Sequence, residues 1–188
     1  MVHPLAFNAV SATELGSVET LKYEFERRGV KVAACCCDAL DSIETWVADV
    51  VSVNQCKGPG LSFPIIADAK RSLVYDLGLI TSGQKTAPEM PDTCRVLHII
   101  GPDARLKLSL QYPAGTGHNY GEVLRVLDSL QLAAKHGVAT PANWKGGDKC
   151  LVGEWLSTVE AKDSFPKGVE TAPLPSGKET MRFTPDPR

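Results

Sequence analysis

Apolar residues recur at steps of three and four across positions 12–28. Leu15, Val18, Leu21 and Phe25 share one face, with charged residues between them, which predicts an amphipathic helix. Ser11 or Thr13 is placed to cap it, Glu14 in its first turn suits the positive helix end, and Gly29 ends it. Residues 3–11 read as a short loop that runs straight into that helix. Positions 30–37 predict a short buried strand closed by Asp38. Asp41-Ser42-Ile43-Glu44 reads as a capping box opening a second helix, with Ile43, Trp46, Val47, Val50 and Val51 along one side.

The two glycines and the proline of positions 57–60 predict a loop. Positions 63–66 predict another short strand, and a helical turn region begins at Asp68 and runs through Tyr75 to Leu79. The polar, proline-containing stretch 81–93 reads as an exposed loop. Strands are expected over 95–100 and 106–110, joined as a hairpin by Gly101-Pro102-Asp103-Ala104. In the second of them Leu106, Leu108 and Leu110 should face one way, and Lys107, Ser109 and Gln111 the other. Asn119-Tyr120-Gly121-Glu122 reads as a capping box before a long helix that turns Val123, Leu124, Leu127 and Leu130 inward. Strands alternating with helices, with a hairpin late in the order, predict an α/β protein whose mixed sheet is covered by helices.

The pattern changes near His136. The last 53 residues hold 6 prolines and 6 glycines with little periodicity, yet Trp144, Leu151, Val152, Trp155 and Leu156 are too apolar for a free tail. Two domains are therefore expected, 1–135 and a small extension 136–188 that packs on the first or on a second subunit.

Composition excludes several classes. A net charge of -2 gives no reason to expect nucleic acid as a partner. No apolar run approaches the roughly 18 residues of a membrane span, and no targeting signal is visible, so the expected location is cytoplasmic. The six cysteines (Cys35, Cys36, Cys37, Cys56, Cys94 and Cys150) contain no CxxC spacing, which points away from zinc and dithiol chemistry and toward reduced thiols. Cys94 and His98, about 13 Å apart along an extended strand, are too distant to share a metal ion. No metal and no cofactor are expected.

The ordered segments resemble the one-cysteine class of peroxiredoxins over nearly the whole chain. They are His3-Pro4 through Thr13-Glu14-Leu15-Gly16, Phe63-Pro64-Ile65-Ile66-Ala67-Asp68, Arg95, and Leu106-Lys107-Leu108-Ser109. They continue with Tyr112-Pro113-Ala114-Gly115-Thr116-Gly117-His118-Asn119, Val138 to Trp144, and Phe165-Pro166-Lys167-Gly168-Val169. The resemblance implies a thioredoxin-like fold whose first strands would precede this sequence, with a C-terminal extension contributing to a homodimer. It implies an antioxidant, thiol-dependent peroxidase acting on hydrogen peroxide and organic hydroperoxides. In that chemistry a thiolate at a helix start attacks the peroxide and becomes a sulfenic acid, which a small thiol such as glutathione restores.

Carried over by position, Pro4 matches the leading proline of the catalytic loop and Arg95 the active-site arginine. Asn8 stands where the family has threonine, Ala9 where it has a shielding proline, and Ser11 where it has the peroxidatic cysteine. His118 stands where a second arginine is frequent, and His3, Ala9 and Val10 would line the substrate pocket. An alcohol lacks sulfenic acid chemistry and needs a base to become nucleophilic, so the expected activity is impaired. The alternative is an inactive homologue working through its dimer surface. A serine hydrolase built on Ser11 and His3 lacks any supporting elbow motif. Apart from the resemblance, Ser11 reads equally well as a helix-capping serine, Arg95 as a solvent-facing strand residue and His3 as a loose terminal histidine. Cys36 and Cys37, at the strand end nearest the site, are weaker candidates for a substitute thiol than for buried small hydrophobes. Cys94 should face away from the pocket, since neighbouring strand side chains point to opposite faces.

Overall fold

Residues 1–89 and 95–188 are described by the computed structural model. Strands β1 (Val2–His3), β2 (Ala34–Cys36), β3 (Ile65–Ala67), β4 (Val96–Ile100) and β5 (Leu106–Gln111) form one sheet in the order β3-β2-β1-β4-β5. β1 runs parallel to β2 and antiparallel to β4, so the sheet is mixed. The opening residues are thus the central strand rather than part of a loop. Two residues are too short to display an alternation; what makes them a strand is the pair of neighbours that bond to either side of them.

Helix α1 (Ala9–Thr20) starts three residues before the expected position, because Asn8 is its N-cap and accepts a hydrogen bond from the Ser11 amide at 2.9 Å. Neither Ser11 nor Thr13 caps it. The helix breaks at Leu21, and α2 (Lys22–Glu26) follows as a separate turn and a half, with Gly29 beyond it at a φ of 66°. Helix α3 (Leu40–Val53) forms as expected but without a side-chain cap, since Ala39 occupies that position. The region after Asp68 reduces to α4 (Ser72–Asp76), whose first amides are received by the Asp68 carboxylate: Ser72 N–H at 2.8 Å and Val74 N–H at 3.0 Å. Part of the expected loop is helical. Thr81 and Gln84 make a capping box around α5 (Ser82–Lys85), a signal hidden in a stretch read only for its prolines. Cys94 and the end of that loop lie outside the described residues.

Alternation along β2 divides the sheet's two faces. Ala34 and Cys36 pack with Leu15, Ile43, Trp46 and Val50, while Cys35 and Cys37 pack with Val2, Val74 and Ile80. Since β1 pairs in register with β2 (Val2 opposite Cys35, His3 opposite Cys36), His3 faces the same side as Cys36, toward the helices α1 and α3. The β4–β5 hairpin closes as expected, with Gly101 and Arg105 joined at 2.9 Å and Ala104 in the left-handed region. A register shift between Ile99 and Ile100 carries its tip beyond the core, so Leu106 is exposed although Leu108 and Leu110 are half-buried. The result is a thioredoxin-like mixed α/β fold with flanking helices and a small C-terminal extension.

The chain divides into two compact units, Met1–Tyr120 and Gly121–Arg188. The division falls at the first residue of the long helix α6 (Tyr120–His136), the rest of which lies in the second unit. Its Leu132 joins the core of Val138, Trp144, Cys150, Val152, Ala161 and Phe165, and its Ser129 meets Thr140 at 2.6 Å. Within this unit β6 (Val138–Ala139), β7 (Cys150–Val152), β8 (Glu170–Thr171) and β9 (Arg182–Thr184) make an antiparallel sheet in the order β6-β7-β9-β8. Helix α7 (Thr158–Ser164) begins in a second capping box, formed by Ser157 and Glu160. Among the described residues, no helix is long and apolar enough to cross a membrane.

Candidate active site

The first two turns of α1 carry two of the buried polar groups of the first unit, Ser11 and Glu14, three positions apart and so on one helix face; Glu14 lies in the second turn rather than in the first, where the sequence placed it. That face looks onto the sheet, where His3 of β1 and Arg95, just ahead of β4, are also buried. The solvent-facing alternative for Arg95 is excluded by its 0% exposure, and the loose-terminus alternative for His3 by its 1%.

Glu14 is the hub. Its Oε2 accepts from Arg95 Nη1 at 2.6 Å, and its Oε1 accepts from the His118 amide at 2.9 Å. His118 Nδ1 lies 2.7 Å from the same Oε1, and His3 Nδ1 lies 3.4 Å from Oε2 without hydrogen-bond geometry. Burial alone would push the Glu14 carboxyl up; the hydrogen bonds from His118 and the nearby His3 ring outweigh it and hold it well below the usual carboxylate range. Burial pushes the His3 imidazole down, with Glu14 opposing the shift. The His3 ring stands edge-on to Trp46 at 6.5 Å between centroids, while the His118 ring stacks on Tyr112 at 4.5 Å. His118 Nε2 lies 3.3 Å from the carbonyl of Leu110, so both of its ring nitrogens face acceptor oxygens.

Asn8 joins this cluster to Ser11. Its Oδ1 accepts from the Ser11 amide at 2.9 Å, from the Ser11 hydroxyl at 3.1 Å and from Arg95 Nη2 at 3.0 Å. Ser11 and Arg95 thus both donate to one shared oxygen. The Ser11 hydroxyl is directed at an amide oxygen, not at an imidazole, so it has no base to activate it as a hydrolase nucleophile would need. Arg95 Nε and both ring nitrogens of His3 are buried and without hydrogen-bond partners among the described residues.

The structure therefore brings together Asn8, Ser11, Arg95, His118 and His3. Pro4 and Val10 are half-buried beside them, and Ala9 is exposed at the start of α1. Glu14, the residue that organises the cluster, reads in the sequence as a first-turn acid suited to the helix dipole. The signal that marks it is chemical: three candidate basic side chains, His3, Arg95 and His118, with an acid one turn after Ser11 on the buried side of the helix. Cys36 offers no substitute nucleophile. It is fully buried in the core, and burial pushes its thiol up to about 12.

The chain is similar to several known proteins. Residues 1–109 match the AhpC/TSA family, and residues 129–168 match the C-terminal domain of 1-Cys peroxiredoxin. The chain is 47% identical to peroxiredoxin-6 of Gallus gallus and 46% identical to that of Homo sapiens, over 98% of its own length and 83% of theirs. Among solved structures it is similar to a cysteine-to-serine mutant of the peroxiredoxin 6 of Arenicola marina, with TM-score 0.90 and 48% identity over 99% of this chain and 84% of that one. A yeast mitochondrial 1-Cys peroxiredoxin, described with thiol resolution through glutathione and thioredoxin systems, superimposes with TM-score 0.88 at 32% identity, over 98% of this chain and 84% of that one.

Proposed function

This chain belongs to the peroxiredoxin (AhpC/TSA) family, in its one-cysteine class, and we propose that it keeps the peroxide-reducing scaffold while Ser11 disables the peroxide-reducing step. By family it is a thiol-dependent peroxidase. The observation that carries the proposal is the position of the Ser11 hydroxyl. It stands on the first turn of α1, linked through Asn8 Oδ1 to the buried Arg95, where a helix N-terminus and a guanidinium would together favour a thiolate. Oxygen in place of that sulfur cannot cycle through a sulfenic acid.

The substrate class of the scaffold is a hydroperoxide and its reductant a small thiol such as glutathione; the chain acts in the cytoplasm as a homodimer. A second reading, action through the dimer surface alone, draws on Leu5 and Phe7, both exposed on the loop that leads to Ser11.

Hydrogen peroxide consumption with glutathione tests the proposal, on this chain and on Ser11→Cys. The expected result is no turnover above background for the parent chain. Robust turnover by the parent would overturn the reading and move the chemistry to another thiol.

A further inference from the structure

Asn8 Oδ1 receives three donors at 2.9, 3.0 and 3.1 Å: the Ser11 amide, Arg95 Nη2 and the Ser11 hydroxyl. An amide oxygen has two lone pairs, so three donors saturate it. The orientation of the amide is fixed by the same contacts, since rotating it would aim its NH₂ group at two donor-only groups, the Ser11 amide and Arg95 Nη2. A backbone amide at a helix start, a buried guanidinium and a hydroxyl converging on one point form a receptor for an oxygen atom. Here the oxygen is the protein's own.

We propose that the Asn8 amide oxygen is the resident occupant of this corner, making Asn8 a positioning residue that closes the site independently of Ser11. The proposal rests on the reading that Ser11 holds the nucleophile's place. It adds a second obstacle to that reading. Asn8 directs the negative end of its carbonyl dipole at position 11, which disfavours an anion there, and an acceptor-only oxygen can donate nothing to a nucleophile or a peroxide. It also engages Arg95 Nη2, while Glu14 holds Nη1. A hydroxyl at position 8 behaves differently: it accepts the Ser11 amide and still has a proton to donate.

The test places a sulfur at position 11 and varies position 8, comparing Ser11→Cys, Asn8→Thr/Ser11→Cys and Asn8→Ala/Ser11→Cys. The alkylation rate of the peptide containing position 11 is followed against pH by mass spectrometry, which reports thiol ionisation and not merely folding. In parallel, hydrogen peroxide consumption with glutathione is measured. Each turnover converts thiolate and peroxide to sulfenic acid and hydroxide; two glutathione molecules then return the thiol, giving glutathione disulfide and water.

Ser11→Cys alone is expected to titrate no lower than an ordinary cysteine, about 8.5. Both double variants are expected to shift the alkylation midpoint down by about one pH unit or more, and the threonine variant to consume peroxide about tenfold faster than the single variant. Equal midpoints in all three variants would overturn the proposal. So would an already acidic thiol in Ser11→Cys with turnover matching the threonine variant. Should Asn8→Thr/Ser11→Cys fail to fold, the alanine variant decides, because it removes the amide oxygen and adds nothing. Peroxide turnover by the parent chain would sink the functional reading while leaving the comparison at position 8 intact.

Discussion

Glu14 Oε2 and Arg95 Nη1 meet at 2.6 Å with almost no exposure of either side chain. Removing one member of a buried pair leaves the other charged and uncompensated, at about 3–5 kcal/mol, whereas removing both costs much less. Glu14→Gln and Arg95→Met should each lower the stability measured by urea unfolding by that order, Glu14→Gln the more mildly because it keeps hydrogen-bonding capacity. The double variant should fall well short of the sum of the two. Additive losses would mean that the pair is not coupled.

Acid should unfold the first unit in two stages. A histidine whose folded value is pushed below the ordinary 6.5 favours the neutral ring. Its stabilisation is complete above the unfolded value and is lost as pH falls below about 6.5. Glu14, held below the ordinary 4.5 of a carboxylate, contributes stability present above that value and lost as pH falls through its folded value. The Met1 amino group, pushed down from 8.0 chiefly by burial, acts in the same direction from higher pH. Stability should therefore decline on acidification, and His3→Gln should flatten the part of the curve between about pH 6.5 and 5. An unchanged slope in that variant would assign the decline to another group.

Helices α1 and α3 touch through a glycine. A Cβ on Gly16 would lie 2.0 Å from Asn54 Cγ, and that same side chain donates to the carbonyls of Ala12 at 3.0 Å and Val50 at 2.9 Å. Gly16→Ala should displace the amide, break the bond to Ala12 and destabilise by about 1–3 kcal/mol, against the usual gain of alanine in a helix. Combining it with Asn54→Ala should relieve the clash and recover part of the loss in thermal unfolding.

Native-state alkylation should discriminate among the thiols. Cys36 is fully buried with its thiol pushed up to about 12, whereas Cys56 is half-buried. Iodoacetamide should modify Cys56 first and leave Cys36 untouched until the chain is unfolded. Early labelling of Cys36 in peptide mapping would contradict its packing beneath Trp46 and Leu15.

Legibility in the sequence followed the length of each signal. Helices α3 and α6 and the β4–β5 hairpin announce themselves through long apolar periods and a clear turn, and their existence was readable from the residues themselves. β1 spans two residues and owes its strand state to Cys35 and Val96 across the sheet, so no local pattern could show it. α1 misled in a different way. Its buried face includes Ser11, Glu14 and Glu19 alongside Leu15 and Val18, and polar residues turned inward blur a pattern that assumes only apolar ones do so. Glu19 is held there by Ser62, whose amide and hydroxyl both reach its Oε2 at 2.7 Å. The loop carrying Asn8 and Ser11 was legible by resemblance. The carboxylate at the centre of the cluster was not, because its partners come from positions 3, 95 and 118 and meet only in the folded chain.

The strand that holds His3 is bonded on both sides, and the helix that carries Ser11 starts only six residues later. Of the intervening five, Pro4 to Asn8, Ala6 is fixed by the core and Asn8 by its role as helix cap, but the identities of the exposed Leu5 and Phe7 can vary without moving either end. The number of residues cannot. Adding or deleting one residue would force either β1 to slip by a single position, turning His3 to the opposite face of the sheet, or α1 to start with a different residue, rotating Ser11 and Glu14 by about 100° away from Arg95. Drift in this segment is free in composition only at its exposed positions and is constrained in length throughout, so an aligned relative with a longer or shorter stretch here should have lost the cluster altogether.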